Sequence, residues 1–157
     1  RERFLTPEEV EALALACPTP AVGDYVRLAA YTGIRRGHLL RLTAHDVKGG
    51  WVTLDRSSKT RTLQTVPLHP KVAGIAERLP LGVSGWLLER EWKMARDATG
   101  INCRFHDLRH TCASWLVQAG VPLLTVRDFL GHSTVAVTQR YAHLQPAHLM
   151  DAVLKLR

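Results

Sequence analysis

The stretch 105-FHDLRHTCAS-114, followed by 129-FLGHSTVAVTQRYAHL-144, carries more chemistry per residue than any other part of the chain. Histidines 106 and 110 and Arg109 crowd the first segment, and the second adds His132 and Tyr141. On a helix, His106 and Arg109 are three apart and His106 and His110 four apart, so each pair projects from one face. Leu108, Cys112, Trp115 and Leu116 form the apolar stripe that would hold that helix to a core. Three readings compete for the segment. The plainest is a half-exposed helix whose polar residues face water. A second is zinc, for which Cys103, His106, His110 and Cys112 are all suitable ligand types. Their spacing is poor, because Cys112 lies six residues beyond His106 on the same helix and points away, and no acidic residue stands where an HExxH pattern needs one. The third is an anion site, in which the planar fork of Arg109 holds two oxygens beside His106.

Working outward, helical signals dominate. Thr6, Pro7 and Glu9 of "TPEEVEALALA" form an N-cap, a first-turn proline and a capping box. A second helix runs through "AVGDYVRLAAYT" and ends at Gly33, and a short one covers "RGHLLRL". The period then changes in "GGWVTLDRSSKTRTLQTVPL", which predicts an antiparallel hairpin of Trp51–Asp55 with Thr62–Val66. Helices return at Pro70–Leu79, Trp86–Ala98, His106–Ala119, Pro122–Leu130 and about Thr134–Tyr141, with Gly120 and Gly131 as terminators. The terminal "AHLMDAVLKL" is amphipathic. The fold class is therefore mainly α with a small antiparallel β-hairpin (α+β).

Further candidates sit at element ends, where function gathers. Arg35 follows the helix-ending "TG", Lys59 sits at the hairpin tip, His132 follows Gly131, and Tyr141 closes a helix. Each has an innocent explanation: a solvated arginine, a turn lysine, a packed tyrosine. Tyr25 and Tyr31 fall in the apolar pattern of an early helix and read as core, whereas Tyr141 has polar neighbours and is the phenol placed to reach a ligand.

Composition bounds the rest. A chain of 157 residues with 46% hydrophobic residues suits one globular domain rather than a disordered segment. No apolar run is long enough to span a bilayer, and no signal-peptide pattern opens the chain. Cys17, Cys103 and Cys112 are too few and odd in number for a disulfide framework, which favours a reducing cytoplasm. The net charge of +7 favours a polyanionic partner, nucleic acid first and an anionic membrane second.

Four stretches, "TGIRRGHLLRL", "SSKTRTLQTVPL", "FHDLRHTCASWL" and "LGHSTVAVTQRYAHL", together resemble the catalytic-domain signatures of the tyrosine recombinases, the phage-integrase family. They occur in the family's order from about Phe4 to Leu144, and H-x-x-R combined with L-G-H…Y is specific where H-x-x-R alone is not. The resemblance implies a tyrosine-recombinase catalytic domain spanning 1–157, with Arg35, Lys59, His106, Arg109, His132 and Tyr141 as catalytic residues. It assigns no catalytic role to Arg36, Arg61 or His110. One departure stands out: the family's R-x-x-E carries an acidic residue where this chain has His38.

By that resemblance the chain cleaves and rejoins double-stranded DNA through a covalent 3′-phosphotyrosine, with no metal, cofactor or ATP. It implies a cytoplasmic, bacterial or phage-encoded protein of a mobile element. A homotetramer on synapsed DNA, joined by exchange of the C-terminal segment, is expected, and that segment folding back on its own core is the alternative. The family places a helical, DNA-clamping domain before this one. The chain opens at the catalytic domain, so weak, poorly specific binding and little recombination are expected from it alone. Relaxation of supercoils by a type IB topoisomerase and a non-catalytic DNA-binding remnant remain as rival readings.

Overall fold

The computed structural model describes residues 3–55, 63–146 and 149–156. They form two compact units, one extending to Cys112 and the other beginning at Ala113.

In the first unit, α1 (Pro7–Ala16) starts as its sequence predicts. The Thr6 hydroxyl accepts the Glu9 amide N–H, and the Glu9 carboxylate accepts the Thr6 N–H. Helix α2 (Pro20–Thr32) packs on α1 so closely that a Cβ on Gly23 would lie 2.3 Å from the Ala14 carbonyl oxygen. Only glycine fits there. Its start is capped from a distance: the buried carboxylate of Glu91 accepts the Thr19 N–H (2.8 Å) and the Thr19 hydroxyl (2.7 Å). Its end is Gly33, in the left-handed conformation at φ 65°. Short helix α3 (Arg36–Leu39) follows, fewer residues than "RGHLLRL" suggested.

The sheet has three antiparallel strands in the order β1 (Val47–Lys48), β2 (Trp51–Asp55), β3 (Leu63–Pro67). The expected hairpin is there, with Val52 opposite Val66 and both buried on one face. Strand β1 was not expected, because two residues carry no readable period. Asp55 pairs with Leu63, so residues 56–62 join the two strands; Lys59 falls among these, outside the described residues.

Helix α4 (Pro70–Ala76) ends three residues earlier than its pattern suggested. Helix α5 (Gly85–Thr99) is capped by the Ser84 hydroxyl and closed by Gly100. Leu5, Val10, Leu13, Val22, Tyr25, Val26, Leu28, Leu39, Val72 and Leu88 fill the core of this unit. Tyr25 is core as read, but Tyr31 is only half-buried, its hydroxyl 3.3 Å from Lys71 Nζ and its ring tilted on His69.

Helix α6 (Asp107–Gln118) runs from the first unit into the second. Its buried stripe is Leu108, Cys112, Ala113 and Val117, while Trp115 and Leu116 are half-exposed. Cys112 packs, and burial pushes its thiol up to about 12.

The second unit continues with α7 (Leu123–Leu130), ended by Gly131 at φ 66°. The expected helix to Tyr141 is short: α8 (Val135–Thr138) tightens into a 3₁₀ turn over Gln139–Leu144, which carries Tyr141. Helix α9 (Leu149–Leu154) follows, with Val153 and Leu154 exposed. No helix among the described residues is long and apolar enough to cross a membrane.

Candidate active site

Three of the six candidates meet in the first unit. Arg35, His106 and Arg109 line one cavity of about 420 Å³, with Ala29, Ile34 and Phe105 as its apolar wall. Local structure explains each position. Gly33 turns the chain out of α2, so that Arg35 becomes the N-cap residue of α3 in extended backbone, its side chain exposed. Arg109 lies in the first turn of α6 and is only 7% exposed. Its Nη1 donates to the Gly33 carbonyl at 2.6 Å. A guanidinium therefore rests on the carbonyl end of α2, where the helix dipole favours positive charge, and one bond ties the two arginine-bearing segments together.

His106 is set by the turn that starts α6. The buried carboxylate of Asp107 accepts the Arg104 N–H at 2.7 Å and closes a loop around Phe105 and His106. The His106 ring is edge-on to that of His110, with centroids 5.0 Å apart. Desolvation against the cavity wall holds His106 below the ordinary imidazole range, and the charges of His110, Arg109 and Arg35 push the same way against Asp107. These influences favour the neutral ring, the form that can accept a proton. His110, to which the resemblance assigns no catalytic role, is buried against it.

His38 lines a small recess with Arg35, Arg109 and Gln64 of β3. The position where the resemblance expects an acidic residue thus shares a recess with both arginines.

His132 and Tyr141 belong to the second unit. The His132 N–H bonds to the Arg127 carbonyl across the Gly131 cap, and its Nδ1 lies 2.8 Å from the Thr138 hydroxyl. Tyr141 is only 4% exposed, although its place at a helix end with polar neighbours had suggested an accessible phenol. Among the described residues, no group of three or more histidine, cysteine or acidic side chains is gathered as for a metal ion.

Sequence reasoning missed a second, open groove of about 440 Å³ in the first unit, which shares Arg36 and Phe105 with the arginine cavity. It is lined by Arg36, Arg90, Lys93, Arg96 and Arg104 together with Trp86. Arg90 stacks on the exposed Trp86 ring at 5.3 Å. The signal was present as the spacing of residues 86, 90 and 93 on α5, one face of a helix.

Comparison with known proteins now defines the class. The fold is that of a recombinase catalytic domain: the solved catalytic domain of bacteriophage HP1 integrase superposes with a TM-score of 0.83 at 29% identity, covering 99% of this chain and 95% of that one. XerH site-specific recombinase, solved bound to its palindromic difH substrate, shares the fold at 19% identity and a TM-score of 0.70, over 97% of this chain and 52% of that one. The integrase of Salmonella phage P22 is 30% identical over 179 residues, covering 96% of this chain and 46% of that protein. Residues 86–148 match the sequence model of the phage integrase family. Over nearly its whole length the chain is similar to members of the phage integrase family. It spans about half the length of the P22 integrase it matches.

Proposed function

We propose that this chain cleaves and rejoins DNA strands at specific sites, as the catalytic part of a tyrosine recombinase. The observation that carries the proposal is the convergence of Arg35, Arg109 and His106 on one cavity. Two guanidiniums hold the non-bridging oxygens of a phosphodiester and stabilise the charge of its five-coordinate transition state. The Tyr141 oxygen attacks phosphorus while His106 takes the phenolic proton, because an unperturbed phenol with a pKa of about 10 is protonated at neutral pH. The bond from phosphorus to the 5′-oxygen breaks, Lys59 protonates that oxygen, and His132 donates to a phosphate oxygen. The products are a 3′-phosphotyrosine and a free 5′-hydroxyl. A second 5′-hydroxyl attacks the phosphotyrosine in reverse, so joining needs neither ATP nor a metal ion.

The partner is double-stranded DNA, which the basic groove beside the cavity suits. Assembly is as a homotetramer on two DNA segments, with the exposed apolar residues of α9 supporting exchange of the C-terminal segment between copies. The setting is the cytoplasm of a bacterium, in the service of a mobile element.

The test is a nicked suicide duplex that traps the covalent adduct. Wild-type chain is expected to form it, with EDTA present and ATP absent, and Tyr141→Phe to form none while binding DNA within about twofold of wild type. An adduct in the Phe variant removes Tyr141 from its role. Lys59→Ala is expected to cleave slowly and to recover when the leaving 5′-oxygen is replaced by sulfur, which departs without a proton. DNA binding without any adduct in the wild type would instead mark a non-catalytic remnant.

A further inference from the structure

We infer that Thr138 is a positioning residue for His132, whose buried hydroxyl fixes the imidazole as the Nε2–H tautomer. The use made of that tautomer rests on the recombinase reading; the tautomer itself does not. Both residues lie in the second unit, six apart, on either side of the start of α8.

Thr138 is fully buried and is the last residue of α8. Buried helical threonines elsewhere in the chain turn their hydroxyls back onto the carbonyl four residues earlier: Thr32 onto Leu28 at 2.6 Å, and Thr111 onto Asp107 at 2.8 Å. Thr138 departs from that habit, and its hydroxyl meets His132 Nδ1 at 2.8 Å. A buried hydroxyl needs an acceptor for its proton. With Nδ1 as that acceptor, the ring hydrogen must sit on Nε2. The backbone of His132 is fixed separately, through its N–H to the Arg127 carbonyl, so Thr138 governs the ring rather than the chain. A neutral imidazole with hydrogen on Nε2 donates to a phosphate oxygen, whereas the other tautomer turns a lone pair towards it. Thr138 also leads directly into the 3₁₀ turn that carries Tyr141, so one hydroxyl ties the proposed phosphate donor to the segment holding the proposed nucleophile.

The first arm of the test reads the ring directly. In uniformly ¹⁵N-labelled chain, at a pH where the ring is neutral, the His132 nitrogens are assigned by their disappearance in His132→Ala. Wild type and Thr138→Ser are expected to show hydrogen on Nε2, and Thr138→Val a mixture of tautomers. Hydrogen on Nδ1 in the wild type overturns the inference.

The second arm reads adduct formation on nicked DNA. Thr138→Val is expected to be about three- to tenfold slower, as befits one hydrogen bond, with Thr138→Ser restored and DNA affinity unchanged. In a His132→Ala background the valine should cost nothing more. An equal loss in that background means the residue acts through packing, and the inference falls. A wild-type chain that forms no adduct defeats the recombinase reading instead, and the ring signals still decide for or against Thr138.

Discussion

Arg109 illustrates how a single side chain joins structure to chemistry. Its guanidinium spends one N–H on the Gly33 carbonyl and faces the cavity shared with Arg35 and His106. Lysine keeps the charge but not the planar fork, so it cannot hold the carbonyl and two phosphate oxygens together. Arg109→Lys is therefore expected to slow adduct formation by about 10²-fold or more, and a variant within about threefold of wild type would show that the fork is unnecessary. His106 gives a prediction whose sign is fixed by its surroundings. In the proposed reaction the neutral ring is the base, and desolvation first, then His110, Arg109 and Arg35, depress its pKa from 6.5. Lowering the pKa keeps the base form present at lower pH, so the rate should stay flat through 6.5 and fall only in more acid solution. His110→Gln removes one of those repulsive charges, and the acid limb should move up towards the ordinary imidazole range. Rates of adduct formation between about pH 5 and 8 read both limbs; a limb that moves down, or begins above 6.5 in the wild type, contradicts the assignment of His106.

At the scale of elements, most of the helices were legible because their ends are local. The Thr6–Glu9 capping box and the left-handed Gly33 and Gly131 need no knowledge of the rest of the chain. What escaped is what distant residues decide. Helix α2 starts under a carboxylate supplied by Glu91, which lies 72 residues from Thr19. The segment after α8 reads as continuing helix, yet it tightens into a 3₁₀ turn that buries Tyr141. The α1–α2 contact makes this dependence measurable. A methyl group on Gly23 would meet backbone, not a flexible side-chain end, at 2.3 Å from the Ala14 oxygen. Gly23→Ala gains helix propensity but forces the helices apart, for a net loss of about 1–3 kcal/mol. Thermal melts should fall by roughly 2–4 °C per kcal/mol. An unchanged melting temperature would mean that α1 and α2 separate without penalty.

At the scale of the whole chain, the charge of +7 pointed to a polyanion but said nothing of where the positive residues gather. The site motifs were legible only as a family pattern, because Arg35 and Arg109 are brought together by a bond spanning 76 residues that no local signal encodes. The groove beside the cavity shows where part of the charge goes. Arg90 and Lys93 are exposed on one face of α5, with Arg90 braced on Trp86 and Lys93 paired to Asp97 at 2.7 Å. If DNA leaving the arginine cavity runs along this groove, each cation releases about one counterion, and the slope of log affinity against log salt should flatten by about one for each removed. Arg90→Ala and Lys93→Ala are expected to weaken binding to all sequences alike, most at low salt. The double variant should flatten the slope by about two. Lys93→Ala also frees Asp97, whose carboxyl the lysine holds below the usual carboxylate range, so part of its effect is a newly unpaired negative charge. Lys93→Ala with Asp97→Asn separates the two contributions: the slope change should persist while part of the affinity returns. Slopes equal to wild type in every variant would put the DNA on another face of the domain.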